Sequence, residues 1–566
     1  MDMISSPTTD ETVRAEQPKD SLLNKSASGA TILVLGQVFS RLSTFTLNQL
    51  VIRFVSPSAL GVTSYIEFLV SSILFFSREG IRLSCQRLKE AKITPGEAPT
   101  KGHSLQKDAE DVTILSIINF SLIPVLLGAP VTFLVLYTQL LHHADEAIAS
   151  LPHLRLEVMI IALAVALELL SEPLYNVNQY ELNLKRRTKV ESIAASSRCV
   201  VQFLSTSLFF KLSESDIVAD DKLVVAYCLG QLAYSASVFG LYFFSDLKPK
   251  VKYALFKLSS ATGGYYFNTT VLSYWKSIFF QLVLKHMLTE GDRFLINKLC
   301  STEEQGIFAL INNYGSLIAR MLFSPIEESI RMFLTKISSS SSLTRDQRNT
   351  LVNFLSLLFK FYIYLCIIIC VFAPPNIKYL LEIVIGRGWS KNDESSRLLF
   401  SAFKTYWLYI PFLCVNGIME AIFYSLAFDP SEISRYSRIM GACSLLFFGS
   451  STLFIRYFNL SVSGLVLANM ISMTPRIVYC WSFVNAMYRN DNKGLWSSVM
   501  LRGYAFLLPV SVSIWAIQTF SLGDTSSFTG LLLSGALGFV FLVSGCLIER
   551  DFIRRKVGMF LKTKSQ

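Results

Sequence analysis

Residues 303–333 read EEQGIFALINNYGSLIARMLFSPIEESIRMF, and residues 58–84 read SALGVTSYIEFLVSSILFFSREGIRLS. Both are apolar runs of helical length with polar residues at matching places. Gly61 matches Gly306, Phe76-Ser77 matches Phe323-Ser324, and Glu79-Gly-Ile-Arg82 matches Glu328-Ser-Ile-Arg331, at offsets of 245, 247 and 249. One run earlier, Gln37 and Arg41 match Gln281 and Lys285 at an offset of 244, with Asn48 meeting Asp292. Further on, Glu172-Pro-Leu-Tyr175 meets Glu420-Ala-Ile-Phe423 at an offset of 248. Any one match could be chance. Three regions in register indicate an internal repeat of about 245 residues, a construction common among transporters.

The composition says where such a repeat would live. Of 566 residues, 52% are hydrophobic and only 16% charged, with a mean hydropathy of +0.44. A soluble surface calls for roughly 25% charged residues. The 43 Phe and 23 Tyr exclude a disordered chain. The sequence predicts an all-α polytopic membrane protein. About fourteen apolar stretches of about 20 residues can each cross some 30 Å of hydrocarbon, and they begin near 28, 58, 112, 156, 192, 223, 272, 306, 351, 397, 437, 461, 499 and 527. Ten-residue alternating strands are absent, so helices and not a barrel are expected. The run Ile377–Ile385 is too short to span and reads as an interfacial segment.

The expected plan is a disordered cytosolic tail over 1–27, a six-helix lobe over 28–245 and a cytosolic inter-lobe loop over 246–271. A second six-helix lobe over 272–487, a helix pair over 499–548 and a basic cytosolic tail over 549–566 complete it. Because six is even, both lobes start on the same side and the repeat is parallel, with substrate expected between the lobes.

The net charge of +11 resolves by position. About 32 Lys and Arg fall in the termini and the even-numbered loops and about 10 in the odd-numbered loops, which by the positive-inside rule makes both termini cytosolic. The serine run Ser338–Ser342 then lies in the cytosol, and cysteines introduced there are expected to react with a cytosol-side thiol reagent; luminal labelling would overturn the orientation. With so apolar a chain, nucleic acid is excluded as a partner. No loop exceeds about 35 residues, so a soluble catalytic domain has no place and the chain is not expected to be an enzyme. Lys562 and Lys564 near the C-terminus resemble a dilysine retrieval signal of the endoplasmic reticulum; a basic tail held by anionic lipid fits equally well.

The ten cysteines lie mostly in apolar runs without a CxxC pair and read as small core residues, and five histidines offer little for metal chemistry. No cofactor or metal is expected.

A charge at the bilayer centre costs about 2.5 to 3.5 kcal/mol on insertion scales, so it marks a cavity or a partner. In the first span Gln37, Arg41, Thr44 and Asn48 fall at i, i+4, i+7 and i+11, one face of a helix. The repeat-related stripe is Ser277, Gln281, Lys285 and Asp292, followed by Arg293; the eighth span adds Asn313, Ser316, Arg320, Ser324, Glu327, Glu328 and Arg331. Glu67 lies in the second span, where a buried pair with Arg41 is the alternative to a cavity role. Arg78, Glu79 and Arg82 stand at a helix end, where an ion pair and a ligand contact fit equally. Arg198 and Lys276 are expected to snorkel. Basic residues outnumber acidic ones within the spans, which suits an anionic ligand, and Arg matches phosphate oxygens by bidentate bonding.

LTEGDRFLIN at Leu288–Asn297, QGIFALINNYGSLIARMLFSPIEESIRMF at Gln305–Phe333 and FFSREGIRLS at Phe75–Ser84 resemble the Rft family of eukaryotic oligosaccharide translocation proteins. The resemblance covers essentially the whole chain after the tail. It implies the multidrug/oligosaccharidyl-lipid/polysaccharide exporter superfamily, whose plan of two six-helix lobes and an appended pair agrees with the repeat. It further implies an endoplasmic-reticulum membrane protein of N-glycosylation that moves dolichol-diphosphate-linked heptasaccharide, five mannoses on two N-acetylglucosamines, from the cytosolic to the luminal leaflet. Membrane lipids and other glycosylation proteins of that compartment are its candidate partners. On this reading Arg41, Lys285, Arg293 and Arg320 hold the diphosphate, while Asn48, Gln281 and Asn313 touch sugar hydroxyls. Two other readings stay open from the residues: a non-transporting accessory that binds the same glycolipid, and, disfavoured by the basic stripes, a drug or cation antiporter.

Overall fold

A computed structural model of the chain describes residues 46–85, 105–142, 146–180, 184–212, 220–245, 269–318, 345–385, 393–427, 430–488, 502–517 and 527–548, with single residues and short pieces between. Among them there is no strand. The helices are α1 (Pro57–Leu74), which passes through a π-turn at Phe75–Glu79 into α2 (Gly80–Cys85), then α3 (Leu105–Leu136), α4 (Leu154–Leu170), α5 (Glu172–Tyr180), α6 (Leu184–Leu212) and α7 (Asp220–Ser245). The second half supplies α8 (Thr269–Thr289), α9 (Gly291–Leu299), α10 (Thr302–Ile318), α11 (Arg345–Ile385), α12 (Asp393–Leu426), α13 (Pro430–Arg456) and α14 (Ser461–Tyr488). The last two helices are α15 (Arg502–Ile517) and α16 (Phe528–Ile548).

Nine helices among the described residues are long and apolar enough to cross a membrane. Of the five other expected spans, four coincide with the helices α4, α8, α10 and α15, and the one beginning near 28 lies outside the described residues. The outward faces carry exposed Leu126, Phe133, Phe244, Leu445, Phe539 and Leu547, side chains that only a lipid solvent accommodates in such number. Ile377–Ile385 is not a separate segment: α11 runs on through Pro374 and Pro375 to Ile385. Proline in an apolar helix is tolerated where neighbours re-satisfy the freed carbonyls.

Contacts divide the chain into two compact units, Met1–Phe54 with Leu69–Leu284, and Val55–Phe68 with Lys285–Gln566. Within the first, α4 packs on α3 and α7, and α6 on α7; within the second, α12 packs on α11 and α14, and α13 on α14. The same pairings thus recur in the order the repeat requires. In the first unit Ile81, Ile114, Ile117, Ile118, Phe120 and Val177 form a buried cluster, covered by Leu272 and Trp275 of α8. Gly80 lets Trp275 approach, since a Cβ there would meet the indole nitrogen at 2.8 Å. In the second, Asn376 donates to Ser534 Oγ at 2.6 Å and ties α16 to α11. Phe372 and Phe541 meet beside that bond, with ring centroids 6.2 Å apart.

Val55–Phe68 belongs with the second unit because α1 and α10 cross at Gly61 and Gly306. A Cβ on Gly61 would strike the Thr302 carbonyl, and one on Gly306 would strike the Pro57 carbonyl. Each glycine faces the carbonyl four residues before its own repeat counterpart. Small residues at a crossing let backbones approach closely, which supplies the packing on which membrane helices depend.

Candidate functional site: two repeat-related charge clusters

Arg78 and Arg82 stand one helical turn apart, across the π-turn, and Glu168 and Glu172 stand one turn apart across the break at Ser171 between α4 and α5. The two ladders interlock. Arg78 Nη1 donates to Glu168 Oε2 at 3.0 Å and lies 3.4 Å from Glu172 Oε1; Arg82 donates through Nε and Nη2 to both oxygens of Glu172 at 2.9 and 2.6 Å. The second oxygen of Glu168 accepts from Gln231 at 3.1 Å and from Ser235 at 3.0 Å on α7. Both carboxylates are buried. The Arg82 guanidinium also lies 3.8 Å from the Tyr175 ring centroid, and Arg187 approaches the same ring at 5.2 Å while bonding Gln179 and Glu191. Buried charges persist only when paired and hydrogen-bonded in this way. The first cluster is therefore closed. Its arginines are neutralised, and the excess of basic residues in the spans overstates the free positive charge.

The second unit has the corresponding residues in a different arrangement. Glu327 is half-buried with its carboxylate against Gly417, where a Cβ would strike it. Glu420 accepts from the Tyr436 hydroxyl at 2.6 Å. Tyr436 is fully buried, 4.8 Å from Phe423 and stacked 5.7 Å from Tyr479. Arg331 and Glu328 are exposed.

The other expected site residues fall as follows. Gln37, Arg41 and Arg320 lie outside the described residues. Asn48 is half-buried in the helical stretch 46–52, and Glu67 is exposed on α1. Gln281 and Lys285 are on α8, their side chains outside the described atoms. Asp292 accepts from the Arg293 backbone N–H at 2.8 Å, and Arg293 pairs with Glu290 at 3.4 Å. Asn313 is half-buried on α10, its carbonyl accepting from Ser316. Arg198 lies 5.2 Å from the Tyr227 ring, a cation–π contact. Sequence reasoning missed Glu168, Gln231, Ser235 and Tyr436 as site residues and used Glu172 and Glu420 only as repeat markers. The i, i+4 spacing of Glu168 and Glu172, identical to that of Arg78 and Arg82, is the signal that could have paired them.

The model of the family described as Rft protein matches residues 25–558. The chain belongs to the Rft family. Among Rft relatives, the Man(5)GlcNAc(2)-PP-dolichol translocation protein RFT1 of Candida glabrata is 36% identical over 547 residues, covering 94% of this chain and 96% of the relative. The protein of the same description from Saccharomyces cerevisiae is 37% identical over 494 residues, covering 83% and 84%. That from Xenopus tropicalis is 25% identical over 480 residues, covering 82% of each. Among solved structures, lipid II flippase MurJ in an inward closed conformation aligns with a TM-score of 0.58 at 15% identity, over 93% of this chain and all of that one. An inward-facing multidrug resistance MATE family transporter of the MOP superfamily aligns at 0.50 and 13% identity, over 80% and 96%. This Rft chain thus shares their fold, and the all-helical architecture expected from the sequence is the one found.

Proposed function

We propose that the chain moves Man5GlcNAc2-diphosphate-dolichol from the cytosolic to the luminal leaflet of the endoplasmic reticulum, with both termini cytosolic. The observation that carries this reading is the 36–37% identity, over most of both chains, to proteins named as translocators of that glycolipid. A diphosphate bearing seven sugars cannot cross hydrocarbon unaided, since each unpaired polar group costs several kcal/mol and an ion far more. Polar and basic side chains lining a path between helices substitute for water while the dolichol tail stays in lipid. Alternating access, with one half rocking against the other, would expose that path to each leaflet in turn. No phosphate-cradling nucleotide loop occurs in the sequence, so the step is passive or ion-coupled, and consumption of the glycolipid in the lumen suffices to drive it. Arg41, Lys285 and Arg320 remain the proposed diphosphate contacts; Arg293, already paired with Glu290, is a weaker one.

Reconstitution tests this. Purified protein in liposomes with labelled heptasaccharide lipid is expected to accelerate leaflet exchange over protein-free liposomes, and Arg41→Ala or Lys285→Ala to lower the rate about tenfold or more, the cost of one charge-assisted contact. Binding of the glycolipid without any acceleration would favour the accessory reading.

A further inference from the structure

Helices α4 and α7 of the first unit begin side by side, and their first turns carry acidic residues that belong to neither charge cluster. His153, the residue before α4, has its Nδ1 3.0 Å from Asp221 Oδ2 on α7, with the imidazole 55% exposed. One turn further along α4, Glu157 donates its backbone N–H to the His153 carbonyl at 3.1 Å. Glu157 itself is 1% exposed. Neither oxygen of its carboxyl has a hydrogen-bond partner among the described residues.

The other two buried carboxyls of this unit are held quite differently. Glu168 and Glu172 accept from Arg78, Arg82, Gln231 and Ser235. Glu168 lies three turns beyond Glu157, about 16 Å along α4, and the fully buried Ile161, Ala164 and Val165 fill the stretch between. The titratable groups that act on Glu157 are Asp221 and Cys228, both on the facing helix α7. Arg155 on α4 and Asp220 and Lys222 on α7 share the same first turns, and none of them bonds the carboxyl. The turn after α3, α3 itself and α5 also pack on α4 and present no charged group acting on it among the described residues. A place in the first turn of a helix favours negative charge through the dipole. That dipole does not replace the hydrogen bonds an enclosed carboxylate needs to offset its lost hydration.

We propose that Glu157 is a proton-binding site of the first unit, housed as the acid while α4 and α7 are packed together. It exchanges its proton with the side on which those two helices begin, the luminal one in the orientation proposed above. The exposed His153–Asp221 pair stands one turn away on that side, and the apolar turns of α4 shut the site off from the arginine cluster. Release of the proton leaves an enclosed carboxylate facing the like charge of Asp221. Ionisation and separation of the two helix starts therefore go together, because parting them admits the water that the carboxylate lacks. The site uses none of the residues proposed to contact the diphosphate and stands independently of the glycolipid reading.

The test is carbodiimide labelling of the full chain in nanodiscs. Dicyclohexylcarbodiimide partitions into apolar surroundings and reacts with a carboxyl that supplies its own proton. Mass spectrometry is expected to find the adduct on the Glu157 peptide in neutral buffer, with a water-soluble carbodiimide giving several-fold less. Glu157→Gln, the neutral isostere of the acid, is expected to keep the wild-type melting temperature, in contrast to the same change at Glu172, whose charge two arginines share. Raising the pH should lower the melting temperature of the wild type more than that of Glu157→Gln, since only the unfolded wild-type chain gives up this proton freely. It should also speed amide exchange at the starts of α4 and α7 in the wild type alone, after correction for the intrinsic rate. A wild-type protein that takes no adduct at Glu157 at any pH overturns the site, and the labelling needs no variant to fold. A Glu157→Gln protein that unfolds as readily as Glu172→Gln overturns it too, because the charge would then be structural. Equal responses of exchange to pH in the two proteins overturn the link between proton release and the parting of the helix starts.

Discussion

Replacing Glu172 by glutamine is expected to cost the folded protein about 3 to 5 kcal/mol, the penalty for leaving buried charge without its partner. The isostere keeps the volume and one hydrogen-bond acceptor but removes the charge that two guanidinium groups share. Arg82 loses a paired contact at 2.9 and 2.6 Å and Arg78 loses its second carboxylate at 3.4 Å. Among the described residues the other carboxylate bonded to these arginines is Glu168, which already serves Arg78 and whose other oxygen is taken by Gln231 and Ser235. The uncompensated Arg82 charge then rests against the Tyr175 ring, 3.8 Å from its centroid, a weaker partner than a carboxylate. A drop in the melting temperature of the purified protein, with loss of the monodisperse fraction, is the readout. Arg435→Gln is the control, because its pair with Glu432 is largely exposed and such pairs contribute about 0 to 1 kcal/mol. A Glu172→Gln protein as stable as that control would show that the cluster is dispensable for folding.

The architecture was legible because membrane insertion imposes a coarse rule on every span, and because the chain repeats itself. Apolar length alone located α3, α7, α12 and α13, and the match of Gly61 with Gly306 marked the two helices that cross at those glycines. The run Ile377–Ile385 was read as a separate piece because nine residues are too few to span, whereas it is the continuation of α11 through Pro374 and Pro375, tolerated because in lipid the backbone must stay bonded. The site was less legible, for a physical reason. A charge count along the chain cannot see which charges are already spent on each other, and 90 residues separate Arg82 from Glu172. For Arg78 and Arg82 an ion pair and a ligand contact therefore read alike, and the structure shows them within an ion cluster. Tyr436 was passed over because a tyrosine early in α13 looks like packing until its hydroxyl is seen on Glu420.

Gly306→Val is expected to be as damaging as the loss of Glu172, by the opposite route of adding atoms. Where a new side chain meets the flexible end of another, the neighbour moves aside at small cost; at Gly306 it meets the Pro57 carbonyl, and at Gly61 the Thr302 carbonyl, both held in helical hydrogen bonds. Backbone cannot rotate away, so α1 and α10 must separate along the crossing and lose contact on both sides of it. Overpacking of this kind costs about 1 to 3 kcal/mol even where side chains can adjust, so the alanine variant should fall near the top of that range and the valine variant beyond it. The crossing is self-complementary, and Gly61→Ala should therefore reproduce the effect of Gly306→Ala in melting temperature. A Cβ added at Gly441 of α13 would meet nothing within 4 Å, and alanine there should be neutral or stabilise by about 0.5 to 1 kcal/mol through helix propensity. If Gly306→Ala behaved like Gly441→Ala, the close approach of the two helices would be wrong. A variant that folds yet no longer exchanges glycolipid between leaflets would separate the crossing's mechanical role from its role in stability, because closely packed backbones at a repeat-related point can turn against each other but cannot part.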